Sequence, residues 1–389
     1  MKNRKRLPAL LLSLALAVSL CACGLADGDG TASINPDAVP SIEVDLSKSA
    51  SEFAAGIPAE DTLLTINGTD VKADLMLYWL AMSCDDFMSY YGMLYGFQLS
   101  DDVGDGTTFA DHMRSSAVDI AAYNMLLQQK AAQLGCLPTD AQAQEAVDLM
   151  MANGQEYYEA LKTAFGFSDE SMEYMYLSDF YYENVLNFIA PAVTDEMLNN
   201  YVYQVKHILL MAVDTNRTPE PNEDGEYLYP SLDEETVAAQ RALAEDILAR
   251  LQAVEGEERL ELFDELMNEY SEDSGLASYP DGYEYTVQDS LVDGFTETAL
   301  SLSPGEMSGI VETSYGFHIM LRGEVADLES YAEDCRMYQL DQVLRTMLDE
   351  AEITRAPALE ALDVAAFYDR YAAYQTAVME QYEADSAVG

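Results

Sequence analysis

The chain has 389 residues, of which 49% are hydrophobic and 10% aromatic, enough for two or more domains with sizeable cores. It carries 70 Asp and Glu residues against 19 Lys and Arg residues, a formal net charge of −51. Such a surface repels phosphate groups, which argues against nucleic-acid binding and against direct binding to an anionic membrane surface. The acidity has two interpretations: a repulsive surface that keeps the protein soluble, or the recruitment of basic client proteins.

The first 22 residues have the pattern of a bacterial export signal. Four basic residues within 2–6 precede an apolar run over 9–20, which is too short for a transmembrane helix. Cys23 follows Ala22 in a stretch that resembles a lipobox, which predicts cleavage before Cys23 and lipidation of its thiol. The alternative is an ordinary cleaved signal with incidental cysteines.

Residues 23–60 are rich in Gly, Asp, Ser, Ala and Pro. This composition predicts a lipid-anchored, flexible tether between the membrane and the folded body. Beyond the lipobox the chain has Cys84, Cys136 and Cys335. Because they are odd in number and widely spaced, they predict neither a disulfide framework nor a zinc site.

Residues 61–201 are predicted to be mainly helical. Two short strands around Asn67-Gly68 open the region, and capping signals at Thr139, Ser168 and Thr194 mark later helices, the last running through "DEMLNNYVYQV". The region is rich in Met and Tyr. These residues fit either a helical core or an adaptable apolar surface for non-native chains.

Residues 202–325 are predicted to form a small α+β domain. The pattern starts with the strand "VKHILLMAV", followed by a long polar loop and a helix capped by Ser231 and Glu234. After a Gly- and Pro-containing loop, a helix around Phe295 precedes the strands "SGIVET" and "GFHIMLRGE". The helices of 326–389 have no core of their own. We expect them to pack on the N-terminal helices, which gives an α+β fold with the small domain inserted in a helical lobe.

His318, one of only three histidines, lies within an apolar strand. Taken alone, such a histidine is either a satisfied core residue or part of a site. Three stretches decide the interpretation: "KHILL" at 206–210, "FDELMNEYSED" at 263–273 and "GFTETALSLSPGEMSGIVETSYGFHIML" at 294–321. In this order they resemble the parvulin family of peptidyl-prolyl isomerases.

The resemblance implies a set of catalytic residues. His207 and His318 would form a hydrogen-bonded pair on the inner strands, and Asp273 would face the rotating amide. Thr313 and Tyr315 would lie beside the pair, with Thr313 able to hydrogen-bond to it. The alternative for Asp273 is a solvated turn or helix-cap carboxylate.

The resemblance also implies a pocket for the proline ring, lined by Leu291 and Phe295. Many parvulins have a Gly-Gly-Asp-Leu-Gly run where this chain has "SYPDGYEYT", which resembles a variant in foldase lipoproteins of Gram-positive bacteria. The change leaves the third wall of the pocket to Tyr283 or Tyr285.

An exported lipoprotein with a helical region followed by this domain is similar to the PrsA/SurA class of foldases, whose helical lobe holds unfolded clients. The sequence therefore predicts a foldase anchored to the extracytoplasmic face of the cell membrane. Its expected partners are unfolded or nascent secreted polypeptides with X–Pro bonds, which exchange isomers in roughly tens to hundreds of seconds without a catalyst.

No metal or other cofactor is implied, because the sequence has no P-loop, GxGxxG or HExxH motif. Two other functions remain open at this point. One is a non-catalytic chaperone with a degenerate parvulin domain. The other is a solute-binding lipoprotein, which would show two lobes of alternating strands and helices that this pattern lacks.

Overall fold

The computed structural model describes residues 42–104, 106–222, 227–289 and 291–387. The predicted export signal, Cys23 and the first part of the tether lie outside these residues. The described residues divide into two compact units: a helical unit, made of those before Ala192 and those after Tyr338, and an α+β unit over Ala192–Tyr338. Within the described ranges, no helix is both long enough and apolar enough to cross a membrane.

The described ranges contain short and long helices in both units. In chain order the helices are α1 (Ala50–Ala55), α2 (Ala73–Phe87), α3 (Met93–Tyr95), α4 (Phe109–Leu134), α5 (Asp140–Met150), α6 (Gln155–Phe165), α7 (Asp169–Ile189), α8 (Asp195–Tyr201), α9 (Glu234–Gln252), α10 (Gly256–Tyr270), α11 (Phe295–Ser301), α12 (Ala332–Glu350), α13 (Pro357–Glu360) and α14 (Val364–Ser386). The strands are β1 (Thr62–Ile66), β2 (Thr69–Lys72), β3 (Val202–Met211), β4 (Glu220–Pro221), β5 (Tyr227–Leu228), β6 (Tyr283–Thr286), β7 (Met307–Glu312), β8 (Gly316–Gly323) and β9 (Ile353–Arg355). A π-helical turn, Met88–Gly92, joins α2 to α3.

A three-stranded sheet joins the two ends of the chain within the helical unit. Asn67 and Gly68, with φ of 50° and 80°, form the expected turn between β1 and β2. On its other edge β1 pairs antiparallel with β9. The Asn67 backbone N–H donates to the Glu352 carbonyl at 2.9 Å, and the Asn67 side-chain oxygen accepts from the Glu352 N–H at 2.9 Å. The N- and C-terminal segments thus form one lobe, which confirms the predicted fold class.

Helix α1 lies within the predicted tether, so the structure differs from that prediction over this part. Ser49 and Glu52 form a capping box, and Ala50 and Ala54 are fully buried. Helix α1 packs on α14, whose Tyr374 hydroxyl donates to the Lys48 carbonyl at 2.8 Å. The small residues that suggested flexibility instead allow close packing of the two helices.

The α+β unit is built on an antiparallel sheet in the order β6-β3-β8-β7. Because side chains alternate across a strand, one face presents Ile208, Phe317 and Ile319 to a core shared with α9 and α10. The other face presents Tyr203 and Met320 to a core shared with α11.

Three details of this unit differ from the sequence-based expectation. Helix α8 ends at Tyr201, because the residues after it are already paired in β3, where Tyr203 lies opposite Tyr285. The N-cap of α9 is Asp233, which accepts from the Thr236 N–H at 2.9 Å; Ser231 instead forms a β-bridge with Val213. The predicted loop before Phe295 contains the edge strand β6.

Arg322, on β8, is buried with 3% of its surface exposed. Its guanidinium donates to the carbonyls of Ala299 at 3.2 Å and Asn199 at 3.0 Å, and to that of Val202 at 3.2 Å. These carbonyls lie in or just after α11 and α8, where helix carbonyls lack intrahelical partners. One side chain therefore joins two helix ends to the sheet.

We predict that Arg322→Met lowers the free energy of unfolding of the α+β unit by about 2–4 kcal/mol, since three backbone carbonyls, two of them in buried hydrogen bonds, lose a charged donor. Native-state hydrogen exchange of β3 and β8 amides measures this loss within the unit. The matched control is Arg217→Met, which removes an exposed pair with Glu220 and should change the value by less than about 0.5 kcal/mol. Equal protection in the two variants would contradict the role of Arg322.

Candidate functional site

The two histidines of the α+β unit lie side by side on the sheet face that packs against α11. His207 is on β3 and His318 on β8, and the pairing of Leu209 with His318 and of His207 with Met320 makes the histidines diagonal neighbours. Their ring centroids are 5.4 Å apart, with the planes at 68°. Both side chains are nearly buried, at 9% exposure for His207 and 4% for His318.

Thr313 fixes the orientation of His318. The Thr313 hydroxyl lies 2.9 Å from Nε2 of His318 and accepts from the Tyr315 backbone N–H at 3.2 Å. A hydroxyl has one proton and two lone pairs, so Thr313 accepts from Tyr315 and still pairs with Nε2 in either tautomer of His318, as donor to an unprotonated Nε2 or as acceptor from a protonated one. Among the described residues Nδ1 of His318 has no hydrogen-bond partner.

Asp273 follows a turn that is hydrogen-bonded to the backbone of β3. The Glu272 N–H donates to the Leu209 carbonyl at 2.8 Å, and the Leu209 N–H donates to the Ser271 hydroxyl at 3.1 Å. This anchoring places Oδ2 of Asp273 3.5 Å from Nε2 of His207, while Oδ1 accepts from the Gly275 N–H at 3.0 Å. Asp273 thus caps its own turn and also faces the histidine pair.

Tyr283 completes the polar part of the site. Its hydroxyl donates to Oδ2 of Asp273 at 2.5 Å, and its ring is stacked on His207 with centroids 5.8 Å apart and planes at 11°. The edge strand β6 sets this position by pairing Tyr283 with Val205. Gly282 has a φ of 91°, and a Cβ there would lie 2.6 Å from the Val205 carbonyl oxygen, so the close approach requires glycine.

An apolar wall closes the other side of the histidine pair. The Phe295 ring stands edge-on to both imidazoles, with centroids 5.2 Å from His207 and 5.5 Å from His318. Half-buried Leu291 and Tyr285 pack against the same cluster. The structure therefore brings together the residues predicted for the proline pocket, and their role in binding stays a prediction.

Tyr315 is placed differently from the other predicted residues. Its backbone N–H supports Thr313, but its ring packs on Tyr229, with centroids 6.0 Å apart. Tyr315 therefore acts on the pair through its backbone.

The sequence motifs assigned no role to Ser271 and Glu272, which anchor the turn before Asp273, although both lie in the motif stretch "FDELMNEYSED".

Burial sets the charge state of the histidines. Burial and, to a smaller extent, the neighbouring His207 lower the pKa of His318 to about 3, against an opposing effect of Asp273. The pKa of His207 is also lowered by burial, against the attraction of Asp273. Burial and the hydrogen bond to Asp273 raise the pKa of the Tyr283 hydroxyl. At neutral pH the site therefore holds two neutral imidazoles and a protonated phenol.

The arrangement offers fixed hydrogen-bonding groups beside an apolar wall. Such a site can bind a neutral group and change its electrostatic surroundings without forming a covalent bond. Among the described residues, no group of three or more His, Cys, Asp or Glu side chains is placed to hold a metal ion.

Comparison with known proteins identifies the domain. Residues 220–324 match the family model of the PPIC-type PPIase (rotamase) domain. This range contains Asp273, Tyr283, Phe295 and His318, and β3 with His207 precedes it. The match assigns a peptidyl-prolyl isomerase domain, which a solute-binding lipoprotein would not carry, whereas a chaperone with a degenerate parvulin domain would match the same model.

The chain is also similar to a curated foldase and to solved structures of PrsA proteins. The chain is 28% identical over 232 residues to the foldase protein PrsA of Oceanobacillus iheyensis. This alignment covers 51% of this chain and 74% of that protein. The crystal structure of PrsA from Bacillus cereus has 18% identity and a TM-score of 0.32, covering 78% of this chain and 96% of that one. PrsA from Bacillus subtilis has 15% identity and a TM-score of 0.22, covering 83% and 93%.

The sequence-based assignment to the parvulins is thus confirmed by the family match of the inserted domain. Residues 220–324 match the PPIC-type peptidyl-prolyl isomerase family, so the chain carries a peptidyl-prolyl cis–trans isomerase domain, and it is similar to a PrsA foldase.

Proposed function

We propose that this isomerase is a lipid-anchored foldase on the extracytoplasmic face of the cell membrane, acting on X–Pro bonds of unfolded or nascent secreted polypeptides. The observation that carries the isomerase part is the placement of the histidine pair, Asp273 and Tyr283 beside the apolar wall around Phe295. The lipobox-like Cys23 supports the anchor. The similarity to a foldase supports the role in folding.

The reaction needs no bond to be broken. Rotation about a peptide bond is opposed by a barrier of about 18–20 kcal/mol, because resonance gives the C–N bond double-bond character. A catalyst has to favour the twisted amide over both planar forms. Phe295 and Leu291 provide an apolar wall on which the proline ring can be held while the preceding carbonyl rotates.

Asp273 can lower the barrier through its charge. The resonance form with a C–N double bond places negative charge on the carbonyl oxygen. A carboxylate held beside that oxygen disfavours this form and so favours the twisted amide, in a site from which water is largely excluded. In this proposal Tyr283 and His207 position the carboxylate, and Thr313 and His318 hold His207 from behind.

The proposal is tested with a protein whose refolding is limited by proline isomerisation. We expect the full-length chain to accelerate refolding, and His318→Ala to lose at least about tenfold of kcat/KM, since it removes the support of His207. His112→Gln, in the exposed part of the helical unit, is the matched control and should keep full activity. Acceleration that survives in His318→Ala would overturn the assignment of the site.

Tyr283→Phe tests the hydrogen bond to Asp273 while keeping the ring that stacks on His207. We expect kcat/KM to fall by about 3- to 30-fold, because a hydrogen bond to a charged group contributes about 1.5–3 kcal/mol and only part of this acts on the transition state. Tyr279→Phe changes an exposed residue whose ring lies 4.9 Å from that of Tyr283. It should change kcat/KM by less than about twofold; a similar loss in both variants would contradict the prediction.

Both buried histidines are expected to stay neutral in the folded protein, so neither should titrate near the usual histidine pKa. Since the pKa of His318 is about 3 when folded and near 6.5 when unfolded, the folded state binds fewer protons between these values. Stability is therefore retained above about pH 6.5 and declines as the pH falls toward 3. We expect the imidazole NMR signals of His207 and His318 to show no titration midpoint near 6.5. A midpoint there for either residue would contradict the burial argument.

A further inference from the structure

The helical unit carries an exposed apolar surface that the isomerase site does not use. It consists of residues 88–97, which include the π-helical turn and α3, and we name it the 88–97 surface. Its side chains are large and solvent-facing: Met93 is 80% exposed and Tyr95 62%, and Tyr90, Tyr91, Leu94 and Phe97 are exposed as well. Single exposed apolar residues are common on proteins, but a contiguous group of this kind marks an interaction site.

The aromatic rings of this surface are held in place by one another. Buried Phe87 lies 4.6 Å from Phe109, and the contacts continue outward from Phe87 to Tyr91 at 5.6 Å and from Tyr91 to Tyr95 at 6.2 Å. Phe97 closes the ring of contacts, 6.0 Å from Tyr95 and 5.3 Å from Phe109. Because the rings are already ordered in the free protein, a partner that binds them loses less conformational entropy.

Within the same segment, the side chain of Met88 lies across the backbone at Gly92. A Cβ at Gly92 would lie 2.9 Å from Cε of Met88, so the Met88 side chain crosses the position that a larger residue would fill. Methionine side chains repack easily against different apolar partners. The surface therefore combines fixed tyrosine rings with adaptable methionine side chains.

The charged residues that flank the surface in the sequence are all acidic, with no Lys or Arg among them. The sequence has no Lys or Arg between Lys72 and Arg114. Aspartates lie on both sides of the surface in sequence: Asp85 and Asp86 precede it, and Asp101 and Asp102 follow it. Asp101 is hydrogen-bonded to Gln98, the residue that follows the surface in sequence: its carboxylate accepts from the Gln98 N–H at 2.8 Å.

We propose that the 88–97 surface binds unfolded polypeptide segments in which apolar or aromatic residues stand beside Lys or Arg. The apolar side chains of such a segment bury against the tyrosine rings, and its cations pair with the aspartates or lie over the ring faces. The flanking aspartates would repel a second copy of this chain, which has a net charge of −51. They would repel an anionic bilayer for the same reason. The inference rests on the proposed function and deepens it by naming the chemistry of the bound clients.

The probe is a short, unstructured, proline-free peptide of Lys, Phe, Leu and Ser that carries a fluorescent label, and fluorescence anisotropy measures its binding to the full-length chain. A second peptide has Glu in place of Lys, and a third has Ser in place of Phe and Leu. We expect the first peptide to bind most tightly, and added salt to weaken its binding several-fold because it screens the exposed charges.

Two triple variants separate this surface from general apolar exposure. Met93→Ser, Leu94→Ser and Tyr95→Ser together should weaken binding of the first peptide at least about tenfold. Leu137→Ser, Val147→Ser and Leu149→Ser alter exposed apolar residues elsewhere in the helical unit and should leave it within about twofold. The charge variant Asp86→Lys should weaken binding of the basic peptide and not that of the Glu peptide.

Isomerisation of a short proline peptide is measured on the same proteins and should be unchanged in both triple variants. Absence of isomerisation in the unmodified chain would overturn the proposed function, whereas equal peptide binding by both triple variants would overturn this inference. The inference would also be overturned if the unmodified chain self-associates in sedimentation experiments, or binds phosphatidylcholine vesicles, and the first triple variant abolishes that behaviour. Those results would assign the surface to a second copy or to a lipid surface.

Discussion

The antiparallel register between β3 and β8 is the constraint on which the site depends. With Leu209 opposite His318 and His207 opposite Met320, one face of the sheet receives the apolar core under α9 and α10, and the other receives both histidines. A slip of one residue would exchange the two faces of the slipped strand and separate the pair. The buried guanidinium of Arg322, near the end of the paired part of β8, ties this register to the ends of α8 and α11.

Burial in this position has a cost and a chemical consequence. Nδ1 of His207 and Nδ1 of His318 have no hydrogen-bond partner among the described residues, and an unsatisfied buried polar group costs about 1–3 kcal/mol. The same desolvation keeps both imidazoles neutral at physiological pH. Thr313 and Asp273 supply polar partners to the pair, so the orientation of the carboxylate depends on a short chain of contacts that ends at Tyr283.

Aromatic residues serve opposite ends in the two units. In the α+β unit Phe295, Tyr283 and Tyr285 surround the histidines and exclude water from them. In the helical unit Tyr371 and Tyr374 are buried and use their hydroxyls to bond to the Phe165 and Lys48 carbonyls, whereas the tyrosines of the 88–97 surface face solvent. The Met and Tyr residues of the helical unit thus contribute to its core at some positions and to an exposed apolar surface at others, and the binding of non-native chains by that surface stays a prediction.

The sequence by itself determined the α+β fold class with an inserted domain, the Asn67-Gly68 turn, several helix caps and, through its motifs, the isomerase family. Each of these features depends on the spacing of residues within one continuous segment of the chain. Only the tertiary structure decided that α1 packs on α14, that β9 completes the first sheet, that the ring of Tyr315 faces Tyr229, and that the Tyr283 hydroxyl reaches Asp273. Each of these depends on a pairing between distant segments, and local propensity does not specify the partner of a strand or the face against which a helix will pack.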